Sequence, residues 1–216
     1  MCKDIIGYGI VGSVIVGLFL LLNGVLTYET FVYPEHAAAA TSSAVTVSAN
    51  VQAIISCSTN TGSIAFGTLT DASVFTASPN ASTTMSCANS ATGCTLYVKN
   101  AGSGANPGLW NSTSSALIES PNATFSATST LAAGTEGYGI QATTTAAGSG
   151  ATLTIAAKFN QTDNTVGGLT LTNGTLASNN ATSSNREVVV SHKAAITNTT
   201  SAGNYNDTIT YECTAN

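Results

Sequence analysis

The chain has 216 residues, room for one ordinary domain and a leader. Only 7% of them are charged, against about 25% in typical soluble domains. Over residues 41–216 the only bases are Lys99, Lys158, Arg186 and Lys193, too few for the basic patch on which a nucleic-acid binder is built. The same stretch is rich in Thr, Val and Ile, which separates it from the highly charged, β-poor composition of disordered chains.

Ile5 to Tyr28 is almost wholly apolar, with Lys3 before it and Ala37-Ala-Ala-Ala40 after it. Residues 1–40 therefore read as a secretory signal peptide cleaved before Thr41, or as an uncleaved N-terminal membrane anchor. The apolar run is about 24 residues, against roughly 7–15 in an ordinary signal, and is long enough to cross a bilayer as a helix. Residues 41–216 are then a single exported domain, secreted or held at the cell surface, that meets a membrane only through this leader.

Beyond the leader, Val45, Val47, Ala49, Val51, Ala53 and Ile55 recur at a period of two, the longest such run in the chain, and predict the first strand. Ile64–Gly67 follows as a short segment. Thr83–Cys87 and Cys94–Lys99 are strands on either side of a turn, and Asn100–Gly108 is loop. Short strands are expected at Leu109-Trp110, Ala116–Ile118, Glu136–Ala142, Ala151–Phe159 and Gly168–Thr172. The glycines around Tyr138 mark a bulge or a close backbone approach. Asn173–Asn185 is polar and reads as a long surface loop. Arg186–Ile196 is a strand with a Val-Val-Val centre, buried on both faces. The last strand puts Tyr205, Ile209, Tyr211 and Cys213 on one face. This gives about nine or ten short strands, no helical periodicity after the leader, and a sandwich or barrel.

Cys57, Cys87, Cys94 and Cys213 remain after the leader, an even set that reads as two disulfides in an exported chain. No C-x-x-C pair or partnering histidine points to a metal. Cys87–Cys94 with Cys57–Cys213 would staple a hairpin and tie first strand to last. Cys57–Cys87 with Cys94–Cys213 is physically reasonable too.

The order Cys57, Ile64-Ala-Phe-Gly-Thr68, Thr84-Met-Ser-Cys87, Thr95-Leu-Tyr-Val98 and Ala202-Gly-Asn-Tyr-Asn-Asp-Thr-Ile-Thr210 resembles the spore coat protein U-like domains, relatives of chaperone–usher fimbrial subunits. The resemblance covers Val45–Lys99 and Ala202–Cys213, under a third of the chain. It implies an immunoglobulin-like β-sandwich, export, and a place in surface fibres or coats. It also implies the pairing Cys57–Cys87, which leaves Cys94–Cys213. A subunit of this class completes its sheet with a neighbour's strand, and Thr41–Ile55, with Val45, Val47, Val51 and Ile55, is the candidate donor; the other reading is an ordinary first strand of its own domain.

No catalytic constellation emerges. His192 stands between Ser191 and Lys193 on a strand and reads as exposed or locally satisfied. No G-x-S-x-G, paired glycosidase carboxylates, P-loop, dinucleotide fingerprint or EF-hand loop is present. The expectation is a structural surface protein without catalysis or cofactor, whose partners are copies of itself or other envelope proteins. The alternative is a monomeric adhesin or carbohydrate-binding module, with glycans as partners and Trp110 as the stacking face, joined by Tyr97, Tyr138 and Tyr205. Sequons begin at Asn80, Asn111, Asn122, Asn160, Asn173, Asn180, Asn198 and Asn206.

Overall fold

The longest strand-forming stretch of the chain is the spine of the structure. In the computed structural model, which describes residues 43–120 and 127–216, Ser183–Ala195 is one continuous strand of 13 residues. Val188, Val190, His192 and Ala194 alternate along its buried face, while Val189 between them is only half-buried, so the valine centre faces the core on one side and not two. The leader lies outside the described residues. Ala49–Asn216 forms one compact unit; before it, residues 43–48 are irregular and exposed.

The described residues form an all-β fold without helix. In chain order the strands are β1 (Ile55–Thr59), β2 (Phe75–Thr76), β3 (Ala81–Cys87), β4 (Cys94–Asn100), β5 (Gly108–Asn111), β6 (Ala116–Glu119), β7 (Thr128–Thr130), β8 (Gly137–Thr144), β9 (Ser149–Gly150), β10 (Thr154–Ile155), β11 (Thr165–Gly167), β12 (Gly174–Ser178), β13 (Ser183–Ala195) and β14 (Ile209–Ala215). Fourteen replace the nine or ten expected. Three of them, β2, β9 and β10, are two-residue pairings too short to leave a period in the sequence.

All ladders are antiparallel. The larger sheet runs β1-β3-β13-β8-β11-β7, with β2 and β9 also paired to β13; the smaller runs β10-β12-β4-β14; β5 and β6 make a hairpin. Met85, Val188, Val190 and Ile140 from the larger sheet share one core with Leu96, Val98 and Leu176 from the smaller, and Leu109, Ile118, Phe159 and Leu169 join them. Each such side chain contributes roughly 1.5–3 kcal/mol by leaving water.

Several expectations change. The alternating run Val45–Ile55 is not a strand of this domain: residues 43–54 carry no regular structure, and the ladder opens only at Ile55, opposite Cys87. The reason is the partner's length. β3 ends at Cys87, and a single main-chain bond, from Ala88 N to Ile54 O at 3.0 Å, continues the pairing beyond it. Asn89 takes over, its Oδ1 accepting from Ile54 N at 2.5 Å and its Nδ2 donating to Gln52 O at 2.7 Å. Asn173–Asn185 is not a loop; it holds β12, whose Leu176 and Ala177 are fully buried, and the start of β13. Gly168–Thr172 is irregular and its place is taken by β11. Ile64–Gly67 makes only an isolated bridge, Ala65 to Ser78.

The disulfides join Cys57 to Cys213 and Cys87 to Cys94, not Cys57 to Cys87 and Cys94 to Cys213 as the family resemblance implies. The ladders explain it. Cys57 faces Met85 while Cys87 faces Ile55, so those two cysteines are diagonal neighbours within one sheet. Cys94 faces Ala215 while Cys213 faces Leu96, the same relation in the other sheet. Diagonal positions are roughly 7–8 Å apart, beyond the span a disulfide closes. Across the core the fit is good, with Cα–Cα distances of 6.0 and 6.1 Å. Both bridges therefore link one sheet to the other, and both stand at the same end of the domain.

Two contacts decide local geometry. Gly139 is pressed against β11: a Cβ there would lie 2.5 Å from Val166 Cγ2 and 2.8 Å from Gly167 O. The glycine beside Tyr138 thus marks close backbone approach, and Gly139→Ala is expected to lower the unfolding free energy by about 1–3 kcal/mol in a urea titration, as overpacking does. Arg186 reaches back over the β9 turn. Its Nε donates to Ala151 O at 3.1 Å, Nη1 to Ala147 O at 3.2 Å and Nη2 to Gly150 O. Arg186→Ala should cost about 1–2 kcal/mol by the same measurement, and Arg186→Lys should recover little of it, because one ammonium cannot span three carbonyls.

Candidate functional site

Two features of the fold bear on function. The first is the segment before β1. Among the described residues the exposed large apolar side chains are Val45, Val47, Val51 and Ile54, between 65% and 89% exposed, and all four lie within residues 45–54. Scattered singly they would mean nothing. Gathered on one irregular stretch, three of them at a period of two, they form a strand-like surface that is tied to its own domain only at its end, where Gln52 and Ile54 bond to Asn89 and Ala88.

The second feature is a groove of about 1060 Å³ between the sheets, past the far end of β1. Ala81, Tyr138 and His192 of the larger sheet and Ile209 and Tyr211 of β14 line it, with Leu109 and Ile118 from the hairpin and Phe66 and Leu69 from the irregular stretch after β1. The last two are only partly buried although they pack on the core. Beside this groove β14 pairs with β4 alone, so its other edge meets no strand among the described residues, and β1 likewise pairs only with β3. The two free edges lie on one side of the domain, joined by Cys57–Cys213.

Polar groups on the groove's walls are fixed. Tyr138 Oη and His192 Nδ1 share a buried hydrogen bond at 2.8 Å, and the rings stack at 6.0 Å. His192 is therefore neither exposed nor satisfied by its sequence neighbours; its partner is 54 residues away, on β8. Burial pushes its pKa down to about 4. Burial, then the charge of Asp207 and the Tyr211 hydroxyl, pushes Tyr138 well above the ordinary phenol value. Asp207 Oδ1 accepts from three main-chain N–H groups, Thr208 at 2.8 Å, Gly102 at 2.9 Å and Ala101 at 3.2 Å, and so pins the glycine-rich loop after β4 to the start of β14. Burial nevertheless raises the Asp207 pKa, against the pull of those donors and of Asn100. No periodicity announces this set. Only the placement of Tyr205, Asp207, Ile209, Tyr211 and Cys213 at alternate positions hints that Asp207 faces inward, and all five are half-buried as that alternation requires.

The aromatic residues considered for sugar stacking do not form one platform. Tyr138 is fully buried and offers no face. Tyr97 sits on β4 between Thr175 and Glu212 of the neighbouring strands. Trp110 is half-buried, and its main chain exchanges both hydrogen bonds with Asn206, which brings it next to Tyr205. Asn80, Asn160, Asn173, Asn180, Asn198 and Asn206 are exposed; Asn111 is buried, its Oδ1 accepting from Thr113 N; Asn122 lies outside the described residues. No family model, curated protein or solved structure matches the chain.

Proposed function

We propose that the chain is an exported structural subunit of a surface filament, coat or envelope layer. It joins its neighbours by lending residues 43–54 to their inter-sheet groove, and the lent strand completes an immunoglobulin-like sandwich along the free edge of β14. Assembly is its work; the reading assigns it no catalysis and no cofactor. The observation that carries it is the concentration of exposed valines, Val45, Val47 and Val51, at evenly spaced positions in a segment that makes no ladder with its own domain. Main-chain pairing would give such a contact its affinity, and alternate side chains entering the mixed polar and apolar groove would set its register.

The chain's own path favours a second copy as recipient. The polypeptide enters the domain at Ile55, beside Cys87 and the disulfides, whereas the groove opens beyond Thr59 at the other end of β1. Export and an oxidising compartment suit two disulfides in so small a fold.

Deletion of Thr41–Ala53 tests the reading. The full chain should form regular particles under negative-stain electron microscopy. The deleted chain should remain folded, monodisperse and unable to assemble, and should bind a synthetic peptide of residues 43–55. A deleted chain that still assembles overturns the reading, as does a peptide that fails to bind while the domain is intact.

A further inference from the structure

The two disulfides differ in what protects them. Cys87 and Cys94 are fully buried, at the end of β3 and the start of β4. Cys57 is exposed and Cys213 partly exposed, and each lies on the edge strand of its sheet. A thiolate must reach a sulfur to exchange with it, so the buried bridge waits for the core to open and the edge bridge does not.

What the edge bridge holds is also weakly held otherwise. Of the five residues of β1 only Ile55 is partly buried against the core, and the other four are exposed. β1 contributes little apolar burial, pairs on one side only, and continues directly from an irregular segment held only by bonds to Ala88 and Asn89.

We infer that Cys57–Cys213 is a thiol-opened latch on the β1 edge: an external dithiol opens it and β1 then leaves β3, while Cys87–Cys94 keeps the sheets joined. In the first step a thiolate of the dithiol attacks Cys57, the bond between the two cysteine sulfurs breaks, and Cys213 leaves as a thiolate. In the second step the dithiol's other thiol displaces Cys57. The reagent ends as its own cyclic disulfide and the protein gains two thiols. Release of β1 bares the outer edge of β3 and lengthens the unpaired arm through Thr59. The inference does not depend on what fills the groove.

Graded dithiothreitol on the full chain, followed by iodoacetamide and peptide mapping, tests it, with hydrogen exchange read on the same samples. Cys57 and Cys213 should be alkylated at least about tenfold faster than Cys87 and Cys94. Amides of residues 55–59 should lose protection in step with that alkylation, while those of β4 and β13 keep theirs. Simultaneous loss of both bridges overturns the inference, as does prior loss of Cys87–Cys94, or protection of β1 that survives opening. The double variant Cys57→Ser/Cys213→Ser supplies a second arm: without any reductant its residues 55–59 should exchange as in the opened native chain, and a protected β1 there overturns the latch.

Discussion

Removing the edge bridge, as Cys57→Ser/Cys213→Ser, is expected to lower the unfolding free energy by up to about 5 kcal/mol, and removing the buried one, as Cys87→Ala/Cys94→Ala, by about 2.5 kcal/mol through chain entropy. The ratio follows from the loops closed. Cys57 and Cys213 are 156 residues apart, Cys87 and Cys94 only 7, and the loss of unfolded-chain freedom grows with the logarithm of that length. Guanidinium titrations of the three proteins, read by Trp110 fluorescence, give the comparison. Equal costs would mean that native-state packing around the sulfurs outweighs loop closure. The single variant Cys57→Ser separates the two connectivities directly: the thiol it newly frees, counted apart from Cys2, should map to Cys213, and one mapping to Cys87 would refute the pairing described above.

Acid should destabilise the domain through His192. Its folded pKa of about 4 lies below the ordinary value of 6.5, because burial disfavours the imidazolium. A group held neutral in the fold gives stability that is whole above the unfolded pKa and fades as pH falls toward the folded one. Between pH 7 and pH 5 the loss amounts to about 2 kcal/mol, of roughly 3 kcal/mol available in full. Asp207 acts with the opposite sign, since its raised pKa means that the fold takes up a proton more readily than the unfolded chain does. The comparison with His192→Gln removes that contribution. From pH 7 to pH 5 urea unfolding of the native chain should weaken by about 2 kcal/mol more than that of the variant. Parallel pH dependences in the two proteins would place the acid sensitivity elsewhere.

The parts of the fold legible in the sequence are those whose partners are implied locally. β3 and β4 alternate cleanly and flank a short turn, and β13 carries its own β-branched run. The inward face of the last strand, Tyr205 to Cys213, is likewise readable from its period. β12 was hidden because its buried side chains are only Leu176 and Ala177, set among Asn, Ser and Thr. The disulfide pairing depends on which sheet each strand joins, and no local pattern encodes that. Residues 45–54 are the instructive case. Their period of two is genuine, yet in space it accompanies an exposed, irregular segment and not a strand. His192 is the reverse case, a residue with polar neighbours in sequence whose surroundings are set by β8 and β13 in space.

The siting of the bridges bears on mechanical load. In a row of subunits joined through residues 43–54, tension enters each domain at Ile55 and meets a covalent cross-link two residues later, at Cys57. From there it passes to Cys213 on β14, the strand along whose edge the neighbour's segment would lie. On the proposed assembly, force would cross the domain from one segment to the next through a sulfur–sulfur bond, and no more than Ile55 and Ser56 of the β1 ladder could peel before that bond took the strain. A thread built this way resists extension by covalent means within each bead and by a whole strand's hydrogen bonds, sheared together, between beads.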